Sequence, residues 1–246
     1  MLDSEVEALY NHHSIPWLVP RRNRRLEQEK GAISQVSLLD EVPVMSATVL
    51  GLEMLLHASY CDLRMVSDLI LSDFGATFQI LRMVAGEYEF AAERPRRMVD
   101  CIASLEVESW LPALSARTFI CGRQHAAMTA AWKHFRLVAQ YSQLVAASTE
   151  RISPEDAYLV GLLHGIETIP ELMGWAAGNP GIRGRYLFQE MESALPPFVL
   201  AALDSLNDLS TSSVWKFVLT AAHDLASSEA DAFAPAESIR STVCIG

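Results

Sequence analysis

Apolar positions recur along this chain at steps of three and four residues almost everywhere. Val49, Leu52, Leu55 and Leu56 make one such stripe, and Leu63, Val66, Leu69 and Ile70 make the next. This is the spacing of helices that bury one face. Alternation of period two is hard to find. Asp62 predicts an N-cap for the second stripe, whose last turn reaches Ser72-Asp73, with Gly75 permitting a turn into a further helix over 77–85. The run Glu93-Arg94-Pro95-Arg96-Arg97 reads as a loop, because proline disfavours helix at the residue before it and the charges prefer water. Helical spacing resumes at Met98.

The second half repeats the pattern with longer elements. One amphipathic helix is predicted over 124–147, free of glycine and proline and ending in Ser148-Thr149-Glu150-Arg151. Ser153-Pro154-Glu155-Asp156 then combines a capping hydroxyl, a proline at the first helical position and acids in the first turn, so a helix running toward His164 begins there. Pro170, Gly174, Gly178, Pro180, Gly181 and Gly184 break the region that follows. Further helices are predicted over 186–194, 197–206 and 214–226, with a frayed tail beyond Ser227.

Composition narrows the class. Half of the 246 residues are hydrophobic, enough for a substantial core without disulfides or metal. The formal net charge of −11 and pI near 5.1 argue against general attraction to nucleic acid or anionic lipid. Cys61, Cys101, Cys121 and Cys244 form no Cys-x-x-Cys pair, so they read chiefly as buried small hydrophobes. The acidic start Met1-Leu2-Asp3-Ser4-Glu5 is unlike a secretory signal, and no apolar run approaches the ~18 residues of a membrane span. The expectation is a cytoplasmic protein with no membrane and no nucleic-acid partner.

Several chemistries lack their motifs. No Gly-x-Ser-x-Gly elbow, phosphate-binding Gly-rich loop with Lys-Ser or Lys-Thr, or dinucleotide fingerprint occurs. The stretch 62–85 has the outline of a helix-turn-helix, but its second helix offers Phe78, Ile80, Leu81, Met83 and Val84 with Arg82 as the lone cation, a face suited to a core and not to a DNA groove. Arg21-Arg22-Asn23-Arg24-Arg25 reads as a solvated segment, and Gly178 to Arg185 as a flexible turn with two arginines.

The histidines hold the remaining signal. His134 lies in the long helix and His164 at the apolar end of the next, so antiparallel pairing of the two helices brings the imidazoles together. Asp224, on a later helix, adds a carboxylate. His125 and His134, nine positions apart at ~100° each, point to opposite sides of one helix. His12, His13 and His57 have no identifiable partner and read as surface positions.

The order Trp-x-His at Trp132–His134, Leu-Leu-His at Leu162–His164 after Ser-Pro-Glu-Asp-Ala-Tyr, and an Ala-rich element ending at Asp224 resembles the His, His-Asp, Asp order of the HD phosphohydrolase superfamily. Upstream, 62–88 resembles the N-terminal helices of the HDOD (HD-related output domain) family, and 98–114 its next helical pair. The likeness covers 38–227. This chain departs from the family's usual pattern at Phe74, at Ala85-Gly86 and at Glu106. The resemblance implies a non-catalytic regulatory module of bacterial signalling, acting on a protein partner, with a small ligand conceivable in the remnant pocket of His134, His164, Gly165 and Asp224.

Gly165 stands where an HD protein carries the aspartate that helps hold the metal, and glycine has nothing with which to ligate. A hydrolytic centre must fix its ion and leave a position for water. The expectation is therefore no catalytic residue, no cofactor and no metal; were one bound, His134, His164 and Asp224 would hold it, with Glu167 a further candidate three residues along the same helix. The alternative is a metal-dependent phosphohydrolase with an atypical site. Overall an all-α multi-helix bundle is expected: an N-terminal extension (1–30), a helical subdomain (31–121), an HD-like helical subdomain (122–227) and a tail (228–246).

Overall fold

The computed structural model describes residues 42–117, 123–173, 193–207 and 213–232. Among them the chain is helical throughout, with a lone bridge residue at Val44 and no strand. The order is α1 (Ser46–His57), α2 (Leu63–Leu71), α3 (Phe74–Glu87), a 3₁₀ turn at Ala91–Glu93, α4 (Met98–Ala103), α5 (Val107–Ser115), α6 (Arg123–Thr149) and α7 (Pro154–Leu163). A 3₁₀ turn at Ile166–Thr168, α8 (Ile169–Leu172), α9 (Pro197–Asn207) and α10 (Val214–Ala232) follow. No single described helix is long and apolar enough to cross a membrane.

Among the described residues the expected elements are present, with instructive shifts. Asp62 caps α2 by accepting from the Arg64 N–H. The turn that follows is made at Ser72-Asp73 and not at Gly75: α2 and α3 meet at 116°, and α3 already begins at Phe74. Gly75 serves a different need, since a Cβ there would lie 1.9 Å from the Pro43 carbonyl oxygen. Pro154 does open α7, but Ser153 makes no side-chain cap bond. The acids of that first turn bond sideways instead: Arg96 Nη2 lies 2.5 Å from Asp156 Oδ2 and Arg97 Nε 3.2 Å from Glu155 Oε2. The last helix does not fray at Ser227 but continues to Ala232.

One continuous core runs from Val42 to Ala226 across both halves of the chain. Phe74, Phe78 and Trp110 are its largest fully buried side chains. The residues of the helix-turn-helix outline are part of it: every side chain from Phe74 to Leu81 is buried. At its centre α3 meets α6 through an aromatic group, with the Phe74 ring 4.9 Å from Trp132 and 5.3 Å from Phe135 between centroids. The α6–α7 pair makes the broadest helix contact, and α10 packs along α6.

A buried carboxylate ties these parts together. Asp73, 1% exposed, caps α3 by accepting from the N–H groups of Gly75 (2.8 Å) and Ala76 (3.3 Å). It also accepts from the Met45 N–H at 2.8 Å, from the Thr48 side chain and from the Trp132 indole N–H at 3.0 Å. Burial raises its pKa and these donors oppose the rise. Trp132, read from sequence as part of a metal-site motif, is thus a structural donor to the N-terminal helices.

Candidate functional site

The site is built where α6 and α7 cross closest. A Cβ on Gly161 would come within 2.6 Å of Ser142 Oγ and 2.8 Å of Ala139 Cα, so only a glycine lets the backbones approach so far. That approach brings the His134 and His164 rings, one on each helix, to 5.6 Å between centroids. The antiparallel pairing expected from the spacing is what the fold contains.

The third member is His223 of α10, not Asp224. Its ring centroid lies 5.0 Å from His134 and 6.0 Å from His164. One imidazole nitrogen from each of the three lies within 4.8 Å of the others. Asp224 is exposed and belongs to a shallow depression lined by Ser213, Lys216, Phe217, Thr220 and Ala221. One step along a helix rotates a side chain by ~100°, and the packing of α10 on α6 gives the inward position to His223. Glu167 does not share the face of His164 as a continuing helix would require. The α-helix ends at Leu163, a 3₁₀ turn follows, and Glu167 is exposed.

Gly165 carries the sharpest observation. A Cβ there would lie 2.0 Å from Cε1 and 2.3 Å from Cζ of Phe135. The backbone is ordinary at this glycine, with φ −86°, so the requirement is space and not conformation. The Phe135 ring fills the volume that an aspartate side chain would need and stands edge-on to His164 at 5.4 Å. Nothing in the sequence flagged Phe135; its meaning appears only when Gly165 is set against it.

Electrostatically His134 and His164 are both biased toward the neutral ring. Burial, with smaller contributions from His134 and His223, depresses the His164 pKa to about 4, although its hydrogen bond to Gly161 acts the other way. His134 is lowered as well, by burial and then by His223. The Gly161 carbonyl, 2.6 Å from His164 Nδ1, can only accept, so Nδ1 carries the proton and Nε2 keeps its lone pair. His223 is exposed, with Ser227 Oγ 3.5 Å from its Nδ1.

Other sequence candidates lie elsewhere. His57 is exposed and donates to the Glu53 carbonyl of its own helix. Cys101 is buried, its thiol pushed up to about 12 by desolvation, while Cys61 is partly exposed. His12, His13, the 21–25 arginine run, Cys121, Cys244, the 178–185 glycine stretch and most of the 186–194 helix fall outside the described residues, as does the His125 side chain.

The model of the HDOD domain matches residues 42–170. That span contains His134, His164 and Gly165 and stops short of His223. No curated protein matches the chain. Among solved structures, the MmoQ response regulator of Methylococcus capsulatus str. Bath is similar at 20% identity and a TM-score of 0.60, covering 81% of this chain and 91% of that one. A second structure of it, fragment 20–298, gives 19% and 0.58, covering 80% and 88%. These likenesses show a shared fold.

Proposed function

Since the chain belongs to the HDOD family, we propose that it is a non-catalytic regulatory module of bacterial signalling that works in the cytoplasm through contacts with a protein partner. The observation that carries this reading is the Phe135 ring packed where the Gly165 side chain would stand. An HD phosphohydrolase uses an aspartate there, and here the volume is taken by carbon. Any side chain at Gly165 therefore requires the Phe135 ring to move. The fold it shares with a protein described as a response regulator supports the same reading.

Regulation of this kind requires two arrangements whose balance the partner shifts, because a ligand indifferent to both changes nothing. The contacts that would distinguish them join the N-terminal helices to the bundle: Arg96 to Asp156, Arg97 to Glu155, and the Tyr158 hydroxyl donating to the Leu71 carbonyl at 3.1 Å. The ion pairs are exposed on the arginine side, hence cheap to exchange, whereas the Asp73–Trp132 bond is buried. A cleft of about 340 Å³ beside them, lined by Arg64, Asp68, Gln143 and Tyr158 among others, changes shape if they part.

Two measurements test the proposal. Purified chain supplied with Mn²⁺ should hydrolyse phosphomonoesters, phosphodiesters and nucleotides no faster than its His164→Ala variant; turnover that depends on His164 would establish the phosphohydrolase alternative instead. Photo-crosslinking in the native cell should join the chain to a specific protein, with a yield that changes in Asp156→Arg. A crosslinking pattern indifferent to that substitution would sink the contact-based mechanism.

A further inference from the structure

The three imidazoles make an arrangement that the HD pattern does not contain. Three nitrogens no more than 4.8 Å apart share a centre within about 2.8 Å of each. A metal–imidazole bond is ~2.0–2.1 Å, so closing on an ion asks each ring for a shift below ~1 Å. The rings differ in how firmly they are set. His164 is fixed by its bond to the Gly161 carbonyl and by the edge of Phe135. His134 is held by its contacts with Phe135 and the other two imidazoles. His223 is exposed, with Ser227 Oγ 3.5 Å from its Nδ1.

The orientation of His164 suits ligation. Its proton sits on Nδ1, engaged by a backbone carbonyl, which leaves the Nε2 lone pair available; metal-bound histidines generally use their second nitrogen in this way. No described carboxylate joins the group. Mg²⁺, Ca²⁺ and Mn²⁺ prefer oxygen donors, whereas neutral imidazoles suit Zn²⁺, Co²⁺, Ni²⁺ and Cu²⁺.

We propose that His134, His164 and His223 form a mononuclear three-histidine site for a divalent transition metal of the zinc class, completed by α10. It is distinct from the His, His-Asp, Asp centre, because Phe135 denies the aspartate its place and His223 supplies a donor beyond the matched family span. The ion clamps α10 onto the α6–α7 pair. The site stands independently of the regulatory reading: an ion held this way can order the helices without hydrolysing anything.

The test uses tag-free full-length chain, stripped with EDTA and desalted, then titrated with Co²⁺ by visible absorption and with Zn²⁺ by calorimetry. One ion per chain is expected, with the d–d bands of a low-coordinate cobalt. His223→Ala and His223→Gln, at an exposed position, should keep the helical circular dichroism. Each should weaken binding by more than the roughly 10–100-fold that loss of a supporting partner costs. Asp224→Asn should bind as the parent does. In the parent, Zn²⁺ should also move the side-chain nitrogen resonances of three histidines together, a readout that needs no variant. Absence of stoichiometric binding, undiminished binding in the His223 variants, or an equal loss in Asp224→Asn overturns the site.

Discussion

Two polar clusters adjoin the Phe74, Trp132 and Phe135 rings, one through Trp132 and the other through Phe135, and they are built on opposite principles. Asp73 is a lone acceptor surrounded by donors from Met45, Thr48, Gly75, Ala76 and Trp132. His134, His164 and His223 present their rings chiefly to one another and to Phe135. A buried polar group whose bonds are complete within the chain serves the fold, since removing it orphans its partners. A set of three imidazoles with nitrogens within 4.8 Å of one another is not closed in this way. The first cluster ties the N-terminal helices to α6, and the second is where we place the proposed metal.

The comparison breaks most sharply at Asp73. Asp73→Ala removes the α3 cap and strands the Trp132 and Met45 donors, so a loss of about 3–4 kcal/mol is expected in urea unfolding. The histidine cluster should tolerate its own simplest change far better: His223→Ala, at an exposed position, should shift unfolding of the metal-free chain by well under 1 kcal/mol. Equal losses at the two positions would erase the distinction.

Next comes the filled slot. Gly165→Ala places a methyl inside the Phe135 ring and should cost about 2–3 kcal/mol by overpacking. Adding Phe135→Ala should recover part of that, so the pair is non-additive in a double-mutant cycle. Strict additivity would show that Phe135 does not occupy the aspartate's volume.

A smaller effect follows from protonation. The folded-state pKa of His164, about 4, lies below the ~6.5 of an unfolded histidine, so between these values the unfolded chain binds more protons and stability rises with pH. The contribution is complete above about 6.5 and is lost as pH falls toward 4. In metal-free protein, unfolding at pH 5 should be easier than at pH 7.5 by about 2 kcal/mol through this residue, and His164→Gln should remove that part of the difference. Arg96→Ala should also have a small effect, costing less than ~1 kcal/mol, and less still at high salt.

How much of this was legible beforehand varies by residue. His134 and His164 could be paired from helical spacing alone, because two amphipathic helices joined by a short loop pack antiparallel, and the HDOD likeness rested on the order of such elements. By sequence Asp224 reads as the inward donor in place of His223, since adjacent residues differ only by a rotation whose zero is set by the neighbouring helix. Asp73 reads as the polar end of a helix; its bond from Trp132 comes from 59 positions away.

By itself the sequence determined the all-α class, the extent of the long central helix and the absence of a carboxylate at Gly165, because periodicity and the absence of a side chain are local facts. Only the tertiary structure decided that a phenylalanine fills the space beside Gly165, that a third histidine completes the cluster and that an aspartate ties α3 to α6. Each of these depends on which faces of distant helices meet, and contact between distant faces is a property of packing that local pattern does not encode.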